Sequence, residues 1–156
     1  MQEPVNDSPG VIAHPPVIFL VTLTIGVAGH FLSPVPISPQ LPWRILGVAL
    51  ALTSGSIALS ARAQMKLAGT NVHPTMPSTA IVTGGPYRFT RNPMYLSLCL
   101  LNLGIGLVLC DLIPVMLTLA LIAVIHTGVI VREERYLEAK FGEVYSSYRR
   151  RVRRWL

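Results

Sequence analysis

From Met94 to Val131 the chain carries a single charged residue, Asp111, near the middle of the stretch. A helix needs about 20 mostly apolar residues, within a range of roughly 17 to 25, to cross the hydrocarbon core of a bilayer. The stretch therefore reads as two spans joined by a turn at Asp111. That turn returns the flanking polar blocks, GPYRFTRNPMY (Gly85 to Tyr95) and REERYLEAKF (Arg132 to Phe141), to the same membrane face. A loop rich in Gly, Pro and Arg beside a double carboxylate suits a small zwitterionic ligand, which points to a membrane enzyme.

Two further blocks, Val17 to Leu32 and Ile45 to Ala61, also lack Asp, Glu, Lys and Arg. With 51% hydrophobic and 13% charged residues, the composition lies far from that of a soluble domain. The expected fold is an all-α integral membrane domain over residues 1–156 with no Rossmann domain. Its transmembrane helices are expected at about 15–33, 42–62, 93–110 and 112–131, followed by a C-terminal amphipathic interfacial helix at 132–152. The first block reaches spanning length only if Pro15, Pro16 or Ser33 extends it.

Basic residues set the expected orientation. Of thirteen Lys and Arg, only Arg44 lies near the first turn, while Arg62, Lys66, Arg88, Arg91 and all those after Val131 fall on the opposite side. The positive-inside rule makes that side, and with it both termini, cytoplasmic. A bacterial-type inner membrane or an endomembrane fits. The start MQEPVNDSPG carries Glu3 and Asp7 but no basic n-region, which argues against a cleaved signal peptide. The net charge of +6 reads as topology and contact with anionic membrane lipids, with no nucleic-acid partner.

The connections differ in kind. Ser33 to Trp43 holds four prolines and reads as a short spacer closed by an interfacial Trp. The cytoplasmic loop 62–92 is about 31 residues long, a length that in compact domains usually marks function or disorder. It contains Pro74, Pro77, the alternating run Thr79 to Thr83, and Gly84-Gly85-Pro86. Cys99 and Cys110 lie about three turns apart on one helix, roughly 16 Å, too far for a disulfide, and read as packing residues.

Asn92 and Pro93 have the N-cap and first-turn character of a helix start. Capping leaves Tyr87, Arg88, Arg91 and Tyr95 unexplained. Free backbone N–H groups and the positive dipole end suit a ligand carboxylate there, reinforced by Arg91. Interfacial snorkelling is an equal account of either arginine alone. In the last block Leu137, Phe141, Val144, Tyr148, Val152 and Trp155 recur at helical spacing beside a basic end, the pattern of a helix on the membrane surface, with Gly142 a place to bend. Glu133 and Glu134 flank that stripe at the membrane exit. Pairing with Arg132, Arg135 or Lys140 at helical spacing is the ordinary account of both. Two adjacent acids at a membrane exit, among seven in the chain, point instead to function.

The runs GPYRFTRNPMYLS, REERYL and FGEVYSSYRRRVRR resemble the isoprenylcysteine carboxyl methyltransferase and phospholipid methyltransferase families, integral-membrane enzymes that use S-adenosylmethionine. The likeness covers about Thr83 onward. Asn92 stands where the carboxyl methyltransferases have His, and the Asn-Pro-Met-Tyr run is similar to the phospholipid enzymes. Their GxG cofactor element has no clean counterpart: Gly55 lies in a possible region, and Gly104-Ile105-Gly106 comes after the motif it should precede.

The resemblance implies cofactor contacts from Tyr87, Arg91, Asn92, Pro93 and Tyr95, with Glu133 and Glu134 taking the ammonium or ribose hydroxyls. It makes Arg91, Glu133 and Glu134 the catalytic candidates, either acid serving as base for an amine acceptor. The acceptor it implies is an amphiphile at the cytoplasmic interface, first an isoprenylcysteine-like carboxylate and alternatively a phospholipid or other lipid amine. Rivals of other classes are a small four-helix transporter, for which His30 and His126 are the intramembrane candidates, and a non-catalytic scaffold. His14 and His73 are isolated in sequence, and no metal site is expected. No sequence feature fixes the oligomeric state.

Overall fold

The computed structural model describes residues 8–71 and 76–156; Glu3, Asp7, His73 and Pro74 lie outside the described residues. The chain is all-helical, and no strand occurs among the described residues, so there is no Rossmann sheet. Helices α1 (Pro15–Leu32), α2 (Gln40–Leu67), α3 (Pro93–Leu109) and α4 (Leu112–Ile125) form the apolar body. A π turn, His126–Ile130, joins α4 to α5 (Val131–Phe141), and α6 (Glu143–Arg151) comes next.

Three helical stretches are long and apolar enough to cross a membrane: Pro15–Leu32, Gln40–Leu67 and Leu112–Phe141. Helix α3, with 17 residues, is the shorter apolar helix beside them. At 1.5 Å per residue the 30-residue stretch Leu112–Phe141 is about 45 Å long, well beyond a core of about 30 Å. We therefore take its spanning part to end at Val131, where Arg132 opens the charged block.

Small residues bring the helix backbones together, which is how helices associate where lipid supplies no hydrophobic contrast. A Cβ at Gly47 would stand 2.6 Å from the Gly104 carbonyl, and one at Gly104 would stand 2.8 Å from that of Gly47. Gly106 lies equally close to Val115 N. The Gly104-Ile105-Gly106 run is thus spent on packing α3 against α2 and α4. Asn102, buried in α3, donates to Thr118 Oγ1 at 2.9 Å and Pro114 O at 3.3 Å on α4.

The α3–α4 turn forms at Cys110 and Asp111 as expected. Cys110 takes the left-handed conformation (φ 52°) as the α3 C-cap, and Asp111 caps α4 by accepting from Ile113 N at 2.8 Å. Asp111 also accepts from Val35 N and pairs with His30 Nδ1, each at 3.0 Å, tying α1 and the proline-rich spacer to this end. Burial pushes the Asp111 carboxyl up, but the bonds from His30, Ile113 and Val35 outweigh it and hold it below the ordinary carboxylate value.

Two expectations are corrected. Helix α2 does not stop near residue 62 but runs to Leu67, because Arg62, Ala63, Gln64, Met65 and Lys66 are strong helix formers that continue the helix past the apolar run. The C-terminal block is not one helix over 132–152. Gly142, at φ 52°, ends α5 and restarts the chain as α6 in a new direction. The sequence stripe is broken accordingly: Val144 is 65% exposed while Tyr145 is buried.

Candidate functional site

At the end of the body away from Asp111 lies a cavity of about 560 Å³, in the size range of small-molecule sites. Its walls come from the start of α1 with Pro9 and His14, the last turns of α2, the loop residues Ser78 and Ala80 to Val82, the α3 start, α5 and α6. All seven residues predicted from sequence line it: Tyr87, Arg91, Asn92, Pro93, Tyr95, Glu133 and Glu134.

The local folding explains the convergence. A 3-10 turn, Gly85–Arg88, begins with Gly85 at φ 56°, and side chains at Gly84 or Gly85 would strike Gln64 at 2.6 to 2.8 Å. The additional turn of α2 thus packs beneath the two glycines and aims Tyr87 inward. Arg88 points out to solvent, whereas the Arg91 side chain is only 8% exposed. The two arginines, alike in sequence, have different surroundings.

Pro93 begins α3 as expected, but Asn92 does not cap it with its side chain. Its Nδ2 instead donates to Arg154 O at 3.0 Å, and its backbone N donates to Thr90 Oγ1. The side chain is drawn away by a carbonyl brought in from the segment after α6. The first-turn N–H groups of α3 have no carbonyl inside the helix to bond, and Met94 and Tyr95 face the cavity.

Neither glutamate pairs at helical spacing. Glu134 is buried and accepts from Arg91 Nη2 at 2.8 Å and from Arg154 at 2.6 Å (Nη2) and 3.1 Å (Nε). Both its oxygens are engaged by guanidinium groups, which makes Glu134 the hub of a buried ion cluster. Glu133 accepts a 2.6 Å hydrogen bond from the Tyr95 hydroxyl. It keeps some surface toward the cavity, yet burial, reinforced by the nearby Glu134 charge and only partly offset by Tyr95, raises its carboxyl to about 7.

All five tyrosines of the chain (Tyr87, Tyr95, Tyr136, Tyr145 and Tyr148) line this one cavity. Tyr148 donates to Tyr87 O at 2.8 Å, and the Tyr136 hydroxyl accepts from Ser78 N at 3.2 Å. Burial raises Tyr145 to about 12 and holds Tyr87 and Tyr148 well above the ordinary phenol value. These three stay neutral near pH 7 and cannot act as bases there.

Sequence reasoning missed His14, Arg62, Tyr136, Tyr145 and Tyr148 in the lining, and Arg154, His126 and Trp155 behind it. His14, isolated in sequence, stands at the N-cap of α1 and faces the cavity. The spacing of Tyr145 and Tyr148 was an available signal, hidden because the apolar stripe was continued across Gly142.

An uncharacterized protein of Haemophilus influenzae is 46% identical to this chain over 63 residues, covering 40% of the chain and the whole of that protein. The family model for phospholipid methyltransferases matches residues 43–144, from the first turn of α2 to the start of α6, and so includes both polar blocks and the hairpin between them. Because that match takes in the α3 start and both glutamates of the cavity, the chain belongs to the phospholipid methyltransferase family.

Proposed function

We propose that this protein is an S-adenosylmethionine-dependent methyltransferase acting at a membrane face on an amphiphilic acceptor. The observation that carries the reading is the meeting of the α3 start with Glu133 across one tyrosine-lined cavity. The donor set suits the cofactor. Open N–H groups at the α3 start match its carboxylate, and Glu133 matches its ammonium or ribose hydroxyls. Neutral tyrosine rings suit a cation, and Arg91 Nε is a buried N–H with no partner. When bound, the cofactor supplies an activated methyl group on a sulfonium.

For this chain's residues the task is alignment and exclusion of water, since methyl transfer is an in-line displacement that gains from both. The α3 turn and Glu133 orient what enters, and Ala80, Ile81, Val82 and Leu98 close the apolar wall. A lipid amine is the acceptor we favour. A protonated amine must lose a proton before its lone pair can attack, and Glu133, with its carboxyl near 7, is placed to take it. Glu134, held by two arginines, is not free to do so. A carboxylate acceptor such as a prenylated cysteine is the second reading, supported by Arg62, a lining cation with no ion-pair partner among the described residues. The site is assigned to the cytoplasmic leaflet because Arg44 is the lone Lys or Arg at the Asp111 end.

Titration of the detergent-purified protein with S-adenosylhomocysteine tests the cofactor, and labelled methyl transfer to a phospholipid amine or a prenylcysteine acid tests the acceptor. Binding that is lost in Arg91→Ala and weakened in Glu133→Gln supports the site. Failure of the parent protein to bind would remove the enzyme reading, and methylation of the acid alone would reverse the order of acceptors.

A further inference from the structure

The segment after α6, Val152 to Leu156, folds back behind the cavity and meets both polar blocks. Arg91 N donates to Arg153 O at 2.9 Å. The Arg154 carbonyl accepts from Thr90 Oγ1 at 3.1 Å and Asn92 Nδ2 at 3.0 Å. The Arg154 side chain grips both oxygens of Glu134, and Glu134 in turn holds Arg91. Behind it, Arg154 Nη1 and Trp155 Nε1 approach the two ring nitrogens of His126 at 3.1 and 3.2 Å. A neutral imidazole has one lone pair for two such donors, so the ring accepts from only one of them at a time.

We propose that Arg154 is a positioning residue of the site: with its main-chain carbonyl on Thr90 and Asn92 and its guanidinium on Glu134, it fixes the α3 start and Arg91 in the geometry that binds ligand. The inference rests on the methyltransferase reading for what the cavity holds, but not for the tie itself. It divides the adjacent acids by task. Glu134 is clamped and transmits position, and Glu133 faces the ligand. The planar fork of arginine suits this clamp because it reaches both carboxylate oxygens at once, which a lysine ammonium cannot do in the same way.

The test combines S-adenosylhomocysteine titration with amide hydrogen exchange of the ligand-free protein in detergent, on the parent, Arg154→Ala and Arg154→Lys, with methylguanidinium added back to the alanine variant. We expect Arg154→Ala to weaken binding by about tenfold or more, as removal of a group that holds a first contact typically does. Exchange at Thr90 to Tyr95 should quicken while α1 and α2 stay protected. Methylguanidinium should restore affinity, and Arg154→Lys should fall between. Affinity within about twofold of the parent, or unchanged exchange at Thr90 to Tyr95, overturns the proposal. If the alanine variant does not fold, lysine decides: weaker binding at an unchanged melting temperature supports it, and parental affinity overturns it. If the parent itself binds nothing, the methyltransferase reading fails separately, and the exchange comparison still decides whether Arg154 holds the α3 start.

Discussion

At the turn between α3 and α4, Asp111 takes hydrogen bonds from Ile113, Val35 and His30, all within the scaffold, and it does not line the cavity at the other end. At that other end Glu134 is equally engaged, by two guanidiniums, whereas Glu133 has the Tyr95 hydroxyl and a cavity before it. Burial acts on both Asp111 and Glu133, yet their carboxyls move in opposite directions. Three donors outweigh burial at Asp111 and one does not at Glu133. The donors around an acid therefore count alongside its burial in setting the direction in which its carboxyl moves.

The sharpest way to break this comparison is Glu133→Gln. It should lower methyl transfer to an amine by about 10²- to 10⁴-fold while changing S-adenosylhomocysteine affinity much less; an equal loss in both would make Glu133 a ligand contact only. Arg91→Ala leaves buried Glu134 with one cation, and breaking such a cluster should cost about 3 kcal/mol, read as a fall in thermal stability in detergent together with loss of cofactor binding. The pH profile is next. A base whose carboxyl sits near 7 is protonated below that value, so the rate should fall by about tenfold per unit below pH 7 and level off above it. Stability runs the other way. The folded chain holds that proton more tightly than the ordinary glutamate value of 4.5 requires, so the contribution of Glu133 is full below about 4.5 and is lost as pH rises through 7. Comparing the pH dependence of unfolding in the parent and Glu133→Gln checks the sign.

Smaller effects sharpen the contrast. Asp111→Asn should cost about 1 kcal/mol through weakened hydrogen bonds with cofactor affinity untouched, since the turn lies at the far end of the body. Arg88→Ala should change stability by less than about 0.5 kcal/mol and leave binding as it was. A clear loss there would undo the distinction between Arg88 and Arg91.

What the sequence disclosed was what short-range rules encode. The uncharged run around Asp111 specifies a hairpin, and Asn92-Pro93 marks a helix start, because hydropathy and first-turn chemistry act over a few residues. The seven site residues were named by the resemblance to the methyltransferase families, and all lie in the two blocks that the hairpin returns to one face. Glu134 shows where this reasoning stops. Its partners are 43 and 20 residues away, and the nearer of them reaches it only because Gly142 turns the chain. A periodicity drawn straight through Gly142 hid Tyr145. Asn92 has the identity of a cap, yet a distant carbonyl competes for its amide and wins.

The π turn has a consequence beyond its own five residues. A wide turn shifts the downstream helix by one residue against a regular one, about 100° of rotation, so the outward and inward faces of α4 cannot be extrapolated into α5. The same turn serves as a mooring for both flanks of the chain: Gly128 O receives Ile12 N at 3.2 Å, and His126 meets Arg154 and Trp155. Strain applied to the segment before α1 or after α6, by a fused tag or a surface attachment, is therefore delivered to the helix that carries the two glutamates. Labels meant to leave the cavity undisturbed belong instead on the Asp111 side.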